Sequence, residues 1–213
     1  MIHAYDELYV NSAQHNLGRM LDYGVNTLHI PCGQLFSMFL FTGYAERFGQ
    51  GECSLLVGKS GIELCWEVLD KLLIAHPDTC INQDLNRSRE YWAGWAIAYL
   101  QWFTNISFAD IEKYITIDAV LELYNPYHEM DVQQFVDKAL SIYAEKRPAT
   151  NLKLLREKLG YSQSELAKLT GIPVRTIQQY EQRQKNINNA KAEYILRMSK
   201  CLFCNMEDIL EAV

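Results

Sequence analysis

Four stretches of this chain bring chemically capable side chains close together. Ser162 to Tyr180 reads SQSELAKLTGIPVRTIQQY, a run of hydrogen-bonding side chains with Gly171 in its middle and a single cation, Arg175, in its second half. Cys201 and Cys204 form a C-x-x-C pair, the spacing of half a zinc site or of a redox couple. No second Cys or His pair lies near it, so burial as small apolar residues is the plainer reading. His128, Glu129 and Asp131 in PYHEMD are ligand-like types, but Pro126 and the acidic side chains equally suit the start of a helix. Gly58 to Leu64, GKSGIEL, sets Lys59 and Ser60 among glycines; a phosphate loop needs G-x-x-x-x-G-K-[ST], which this spacing does not meet. No metal and no cofactor is expected.

The first stretch implies the elements that would hold it. Ser162 is a helix-capping residue, and Glu165 stands three positions on, where a capping-box carboxylate reaches back to the free backbone N–H. A helix therefore opens at Gln163. Leu166, Ala167 and Thr170 share its inward face, and Gly171 permits the left-handed turn that ends it. Ile172 plugs the turn, Pro173 suits a first helical position, and Ile177 with Tyr180 gives a second helix its buried side.

This segment resembles the phage-repressor-type helix-turn-helix, the XRE family, over roughly Asn151 to Leu210. The supporting stretches are LKLLREKLG (Leu152 to Gly160), QSELA (Gln163 to Ala167), TIQQYE (Thr176 to Glu181) and MEDIL (Met206 to Leu210), the last following an amphipathic helix near Ala190 to Leu202. The resemblance implies a five-helix domain whose second motif helix enters the major groove of double-stranded DNA. By matching positions, Val174, Arg175 and Gln179 would read base edges, with Gln178 as an additional contact, and Gln163, Thr176, Arg183 and Lys185 would touch the DNA backbone. Arg175 would fork onto guanine, Gln179 pair with adenine and Val174 pack on a thymine methyl. Two positions depart from the family: Arg183 stands where glycine is usual, and Pro173 where Ser or Thr is usual. They bear on loop geometry and phosphate capping. The competing reading is a helix-turn-helix kept only for protein contacts.

Charge divides the same way. From Pro148 onward there are ten Lys and Arg against seven Asp and Glu, whereas Met1 to Arg147 carries ten against nineteen, within a net charge of −6. An acidic whole chain is a poor monomeric DNA binder, because phosphate neutralisation supplies most non-specific affinity. A homodimer reading two half-sites about 34 Å apart would compensate.

At 213 residues and 49% hydrophobic, the chain has room for an acidic all-α domain over 1–147 and a helix-turn-helix domain over 148–213. The junction falls in KRPAT, Lys146 to Thr150. No run of ~18 apolar residues and no basic leader occurs, so a cytoplasmic protein with no membrane association is expected. Cys32, Cys53, Cys65, Cys80, Cys201 and Cys204 lack the density of a disulfide framework and are expected to be reduced.

The first 147 residues read as successive helices over Tyr5 to Tyr23, Gly33 to Phe48, Gly61 to Ile74, Arg87 to Thr104, Ala109 to Tyr114, Ala119 to Leu123 and Tyr127 to Ala144, broken by GQGE, HPDT, TNIS and YNPY. The densest feature is EYWAGWAIAYLQWF, Glu90 to Phe103. Tyr91, Trp95, Ala98 and Trp102 form one stripe; Trp92, Tyr99 and Phe103 lie beside it. Such a helix must be enclosed, either as core or with Tyr91, Trp92, Trp95, Tyr99 and Trp102 lining a ligand pocket or partner groove. Gly94 would admit another backbone. SGIELCWEVL (Ser60 to Leu69), YWAGWAIAYLQW (Tyr91 to Trp102) and LYNPYHEMD (Leu123 to Asp131) resemble the helical domain that precedes this kind of helix-turn-helix in uncharacterised bacterial regulators. Some of those sit beside toxin genes, which implies an alternative: an antitoxin whose N-terminal domain masks a partner toxin while its C-terminal domain autoregulates. No nucleophile–base spacing, paired acid motif or phosphate loop is present, so no enzyme activity is expected.

Overall fold

A computed structural model describes residues 3–77 and 87–211. The chain divides into two compact units, 1–146 and 147–213. Among the described residues there are fifteen α-helices and no strand, an all-α fold.

In the first unit, α1 (Val10–Asp22) continues into a π turn over Tyr23–Thr27 and packs along α6 (Arg89–Thr104). Two glycines set their approach. A Cβ placed on Gly94 would lie 2.5 Å from the Leu17 carbonyl oxygen and 2.9 Å from Gly18 Cα; one on Gly18 would lie 2.8 Å from the Tyr91 carbonyl oxygen. The two backbones therefore touch, and only a hydrogen fits between them. Gly94→Ala is expected to cost about 1–3 kcal/mol through overpacking. Urea denaturation followed by tryptophan fluorescence would show the midpoint fall; an unchanged midpoint would mean the helices separate at no cost.

Around this pair stand α2 (Cys32–Phe41), α3 (Tyr44–Gly49), α4 (Cys53–Leu56), α5 (Gly61–Lys71), α7 (Phe108–Tyr114), α8 (Ile117–Glu122), α9 (Tyr124–Tyr127) and α10 (Val132–Lys146). Hydroxyl caps begin four of the unit's helices: Ser60 for α5, Ser88 for α6, Ser107 for α7 and Thr116 for α8. Phe36, Phe39, Phe48 and Phe108 meet at centroid separations of 5.9–6.1 Å and form the centre of the core.

Several sequence expectations need correction. The helix expected over Gly33 to Phe48 breaks at Gly43, whose φ of +78° ends α2 and starts α3. Tyr127 to Ala144 is two elements, because residues 128–131 leave the helix after α9 before α10 resumes. The helices expected from Ala109 and Ala119 start one and two residues earlier, where Ser107 and Thr116 cap them. The short α4 within residues 53–56 was not anticipated. HPDT and Cys80 fall partly or wholly outside the described residues.

On α6, Tyr91 and Trp102 are buried, whereas Trp92, Trp95, Tyr99 and Phe103 are partly so. Trp102 donates Nε1–H to the Tyr5 carbonyl at 2.8 Å and stacks on His3; Trp92 meets Tyr124 and Phe135 edge-on. The Tyr91 hydroxyl lies 2.9 Å from His15 Nδ1. His128 stacks on Tyr124, and no group of three or more His, Cys, Asp or Glu among the described residues is placed to hold a metal ion. No helix among them is long and apolar enough to cross a membrane.

Glu112 accepts the Ile117 backbone N–H at 2.9 Å from a half-buried position, and desolvation raises its pKa from 4.5 to about 7. A carboxyl raised on folding favours the native state while protonated, so its contribution is full below about pH 4.5 and is lost as pH rises through 7. Glu112→Gln should flatten the decline in stability across that window. Thermal melts from pH 4 to 8 check this: parallel curves for the two proteins would contradict it.

Candidate nucleic-acid interface

The second unit comprises α11 (Asn151–Lys158), α12 (Gln163–Thr170), α13 (Val174–Glu181), a 3₁₀ turn at Ile187–Asn189, α14 (Ala192–Leu202) and α15 (Met206–Ile209). Its core is Leu152, Leu166, Ile172, Ile177, Tyr180, Ile187, Ile195, Met198, Leu202 and Ile209.

The capping box at α12 is present in full: Ser162 Oγ accepts the Glu165 N–H at 3.1 Å, and Glu165 Oε2 accepts the Ser162 N–H at 2.7 Å. That bonding holds the Glu165 carboxyl below its ordinary pKa. Gly171 closes the helix at φ +67° with its N–H on the Ala167 carbonyl at 2.9 Å. Ile172 is buried in the turn. Pro173, expected inside the helix, is its N-cap residue; it supplies no side-chain cap, and α13 begins at Val174.

The orientation of α13 is set from its far end. Arg156 of α11 donates Nε–H and Nη2–H to the two carboxylate oxygens of Glu181 at 2.6 and 2.9 Å, and Nη1–H to the Tyr161 carbonyl at 2.6 Å. Both side chains are buried, and the carboxylate holds the guanidinium above its ordinary pKa. Gln163 Nε2 donates to Glu181 Oε2 at 2.8 Å, and Gln178 Nε2 donates to Gln163 Oε1 at 3.3 Å. One network thus ties α11, the first turn of α12 and the inner edge of α13. The sequence reading missed Arg156 and Glu181. A signal was there: Glu181 lies four residues after Ile177, on the buried face of its helix.

With its inner edge fixed, α13 presents Val174, Arg175 and Gln179 outward, and Gln178 sits at the rim of that face with its Nε2 bonded to Gln163. Val174 and Arg175 are exposed, and Gln178 and Gln179 partly so. Arg175 and Gln179 are one turn apart on the same face. Among the described residues neither side chain has a hydrogen-bond or ion-pair partner, so both are free to turn to a ligand. Thr176 is half-buried and Lys185 exposed. Gln163 is committed to the network above. Arg183 adopts φ +54°, the left-handed conformation that a glycine would take without strain, and is held there by Glu211 Oε2 at 2.7 Å and the Pro148 carbonyl at 3.0 Å.

The outward side chains offer a forked cation, two amides and a methyl-bearing residue on one exposed helix face, which is the chemistry that reads base edges. A helix-turn-helix family model matches residues 152–209. No curated protein and no solved structure matches the chain. Leu152 to Ile209 is accordingly a helix-turn-helix domain of the XRE family, and the chain carries the DNA-binding element of a regulator.

Proposed function

We propose that the protein is a cytoplasmic transcriptional repressor that binds an inverted repeat in double-stranded DNA as a homodimer and performs no catalysis. Val174, Arg175, Gln178 and Gln179 read base edges; Thr176 and Lys185 meet phosphates. Gln163 and Arg183 join them with the donors their internal bonds leave over, the second hydrogen of Gln163 Nε2 and the Arg183 Nη2 group. The observation that carries the reading is the pairing of two unengaged side chains, Arg175 and Gln179, on one face of a helix whose opposite face is clamped by Arg156 and Glu181. The acidic residues 1–146 would then serve dimerisation or regulation, since their charge opposes that of DNA.

Enrichment of a random duplex library on the full-length protein tests this. The expected product is a palindrome with half-sites about 10 bp apart, bound by two chains. Enrichment of a single asymmetric half-site bound by one chain would overturn the dimer.

Lys185 supplies a second check. Lys185→Ala should weaken all duplexes alike and lower the slope of log affinity against log salt by about 1. A sequence-dependent loss would reassign Lys185 to base reading.

A further inference from the structure

We propose that the groove at the ends of α11 and α14 is an interface between two copies of this chain, each placing Phe203 over the groove of the other. The inference deepens the homodimer reading above and rests on it. The groove is about 610 Å³, with Leu155, Leu159 and Phe203 among its apolar residues and Lys158, Lys200 and Asp208 as its charged ones. None of the residues proposed to meet DNA lines it, so its occupant does not compete with base edges for a side chain.

Three observations require a covering partner and select a second copy. The first is Phe203 itself. The closing turn of α14 sets the Phe203 N–H on the Ser199 carbonyl, with the Cys204 N–H on the same oxygen at 3.1 Å, and holds Phe203 at φ +52°. Glycine takes that conformation without strain, yet the position carries a phenyl ring that is 82% exposed. The strain and the exposed apolar surface both oppose folding of a lone chain, so the ring serves a contact outside it. The second is that knob and depression share one face: Phe203 stands on the rim of a groove whose floor includes Leu155 and the 39% exposed Leu159. A two-fold contact needs both halves on the same surface, whereas a foreign protein needs only one. The third is charge. Among the described residues Lys158 and Lys200 have no ion-pair or hydrogen-bond partner, and Asp208, whose Oδ2 accepts the Asn205 N–H at 2.8 Å, has no cation. Two-fold pairing sets these lysines against Asp208 of the other copy, while a partner of a single sign would satisfy only one kind of charge. A Phe side chain buries about 150–250 Å², so a contact built on two of them and their leucine neighbours stays below the roughly 1,200 Å² of a standard interface. Pairing of micromolar strength is expected.

Sedimentation of the full-length protein without DNA, over a micromolar concentration series, tests this. The chain should pass from one copy to two, and amide hydrogen exchange at residues 155–159 and 199–205 should slow as pairs form. Phe203→Gly removes the ring and suits the backbone, so it should weaken pairing at least about tenfold while exchange elsewhere in 151–209 stays slow. Lys200→Glu, which sets like charges together, should weaken it about fivefold. Unaltered pairing in either variant, slowing of exchange that avoids the groove, or a chain that stays single and leaves the groove to another protein or a small molecule would each overturn the proposal. A pair that survives Phe203→Gly and still binds the palindrome would sink this interface and keep the homodimer reading; loss of palindrome preference would sink the DNA reading and leave the pairing results standing.

Discussion

Arg175→Ala is expected to remove most of the protein's preference for its site while leaving its affinity for unrelated DNA nearly unchanged. A bidentate Arg contact to a guanine discriminates by about 1–3 kcal/mol per half-site. A dimer makes that contact twice, so the loss at the palindrome should reach about 2–6 kcal/mol. The effect should be clean, because Arg175 is exposed and its side chain has no bonding partner among the described residues, so its removal takes no structural support with it. Binding curves for the enriched palindrome and for a duplex with the critical guanine replaced would converge in the variant. Persistence of the full preference would assign recognition to other side chains.

The second large effect lies on the opposite side of the same helix. Glu181→Ala removes the carboxylate that accepts two guanidinium donors from Arg156 and one amide donor from Gln163, leaving the buried cation only the half-exposed Glu157 carboxylate at 3.4 Å. Breaking a buried pair from one side costs about 3–5 kcal/mol. A unit of this size rarely has more than about 3–5 kcal/mol in total, so residues 151–209 should lose most of their hydrogen-exchange protection and DNA binding should vanish. Replacing both partners, Arg156→Met with Glu181→Leu, should restore much of the protection, because no unpaired charge then remains. If the single variant kept native protection, the network would be incidental to the fold. If the double variant folded yet bound DNA weakly, the role of Gln163 in aiming α13 would be isolated from that of the ion pair.

Much of the candidate interface was legible because its signals are local. Ser162 and Glu165 are three residues apart, Gly171 marks a left-handed position by itself, and the buried face of α13 follows from the spacing of Ile177 and Tyr180. Arg156 and Glu181 are 25 residues apart, and their pairing depends on how α11 crosses α13, which periodicity does not encode. In the N-terminal unit the apolar residues on both sides of Gly43 hid the break there, and the four residues of α4 are too few to show a period. The aromatic run on α6 signalled enclosure correctly for Tyr91 and Trp102, yet a cavity of about 410 Å³ in that unit is lined by none of Tyr91, Trp92, Trp95, Tyr99 and Trp102. It forms where the ends of α2 and α6 meet the short α3 and the start of α7, a juxtaposition made by tertiary packing alone. Gly94 was legible as a point of close approach, but its partners, Leu17 and Gly18, were not.

The most direct test of the whole account is the ratio of affinities of the full-length protein for its enriched palindrome and for a scrambled duplex of equal length and composition, measured by fluorescence anisotropy at about 150 mM salt. A ratio of about 10³ or more is predicted, as for site-specific binding. A ratio near one, with protein shown to be folded and paired under the same conditions, would contradict the assignment of α13 as a sequence reader.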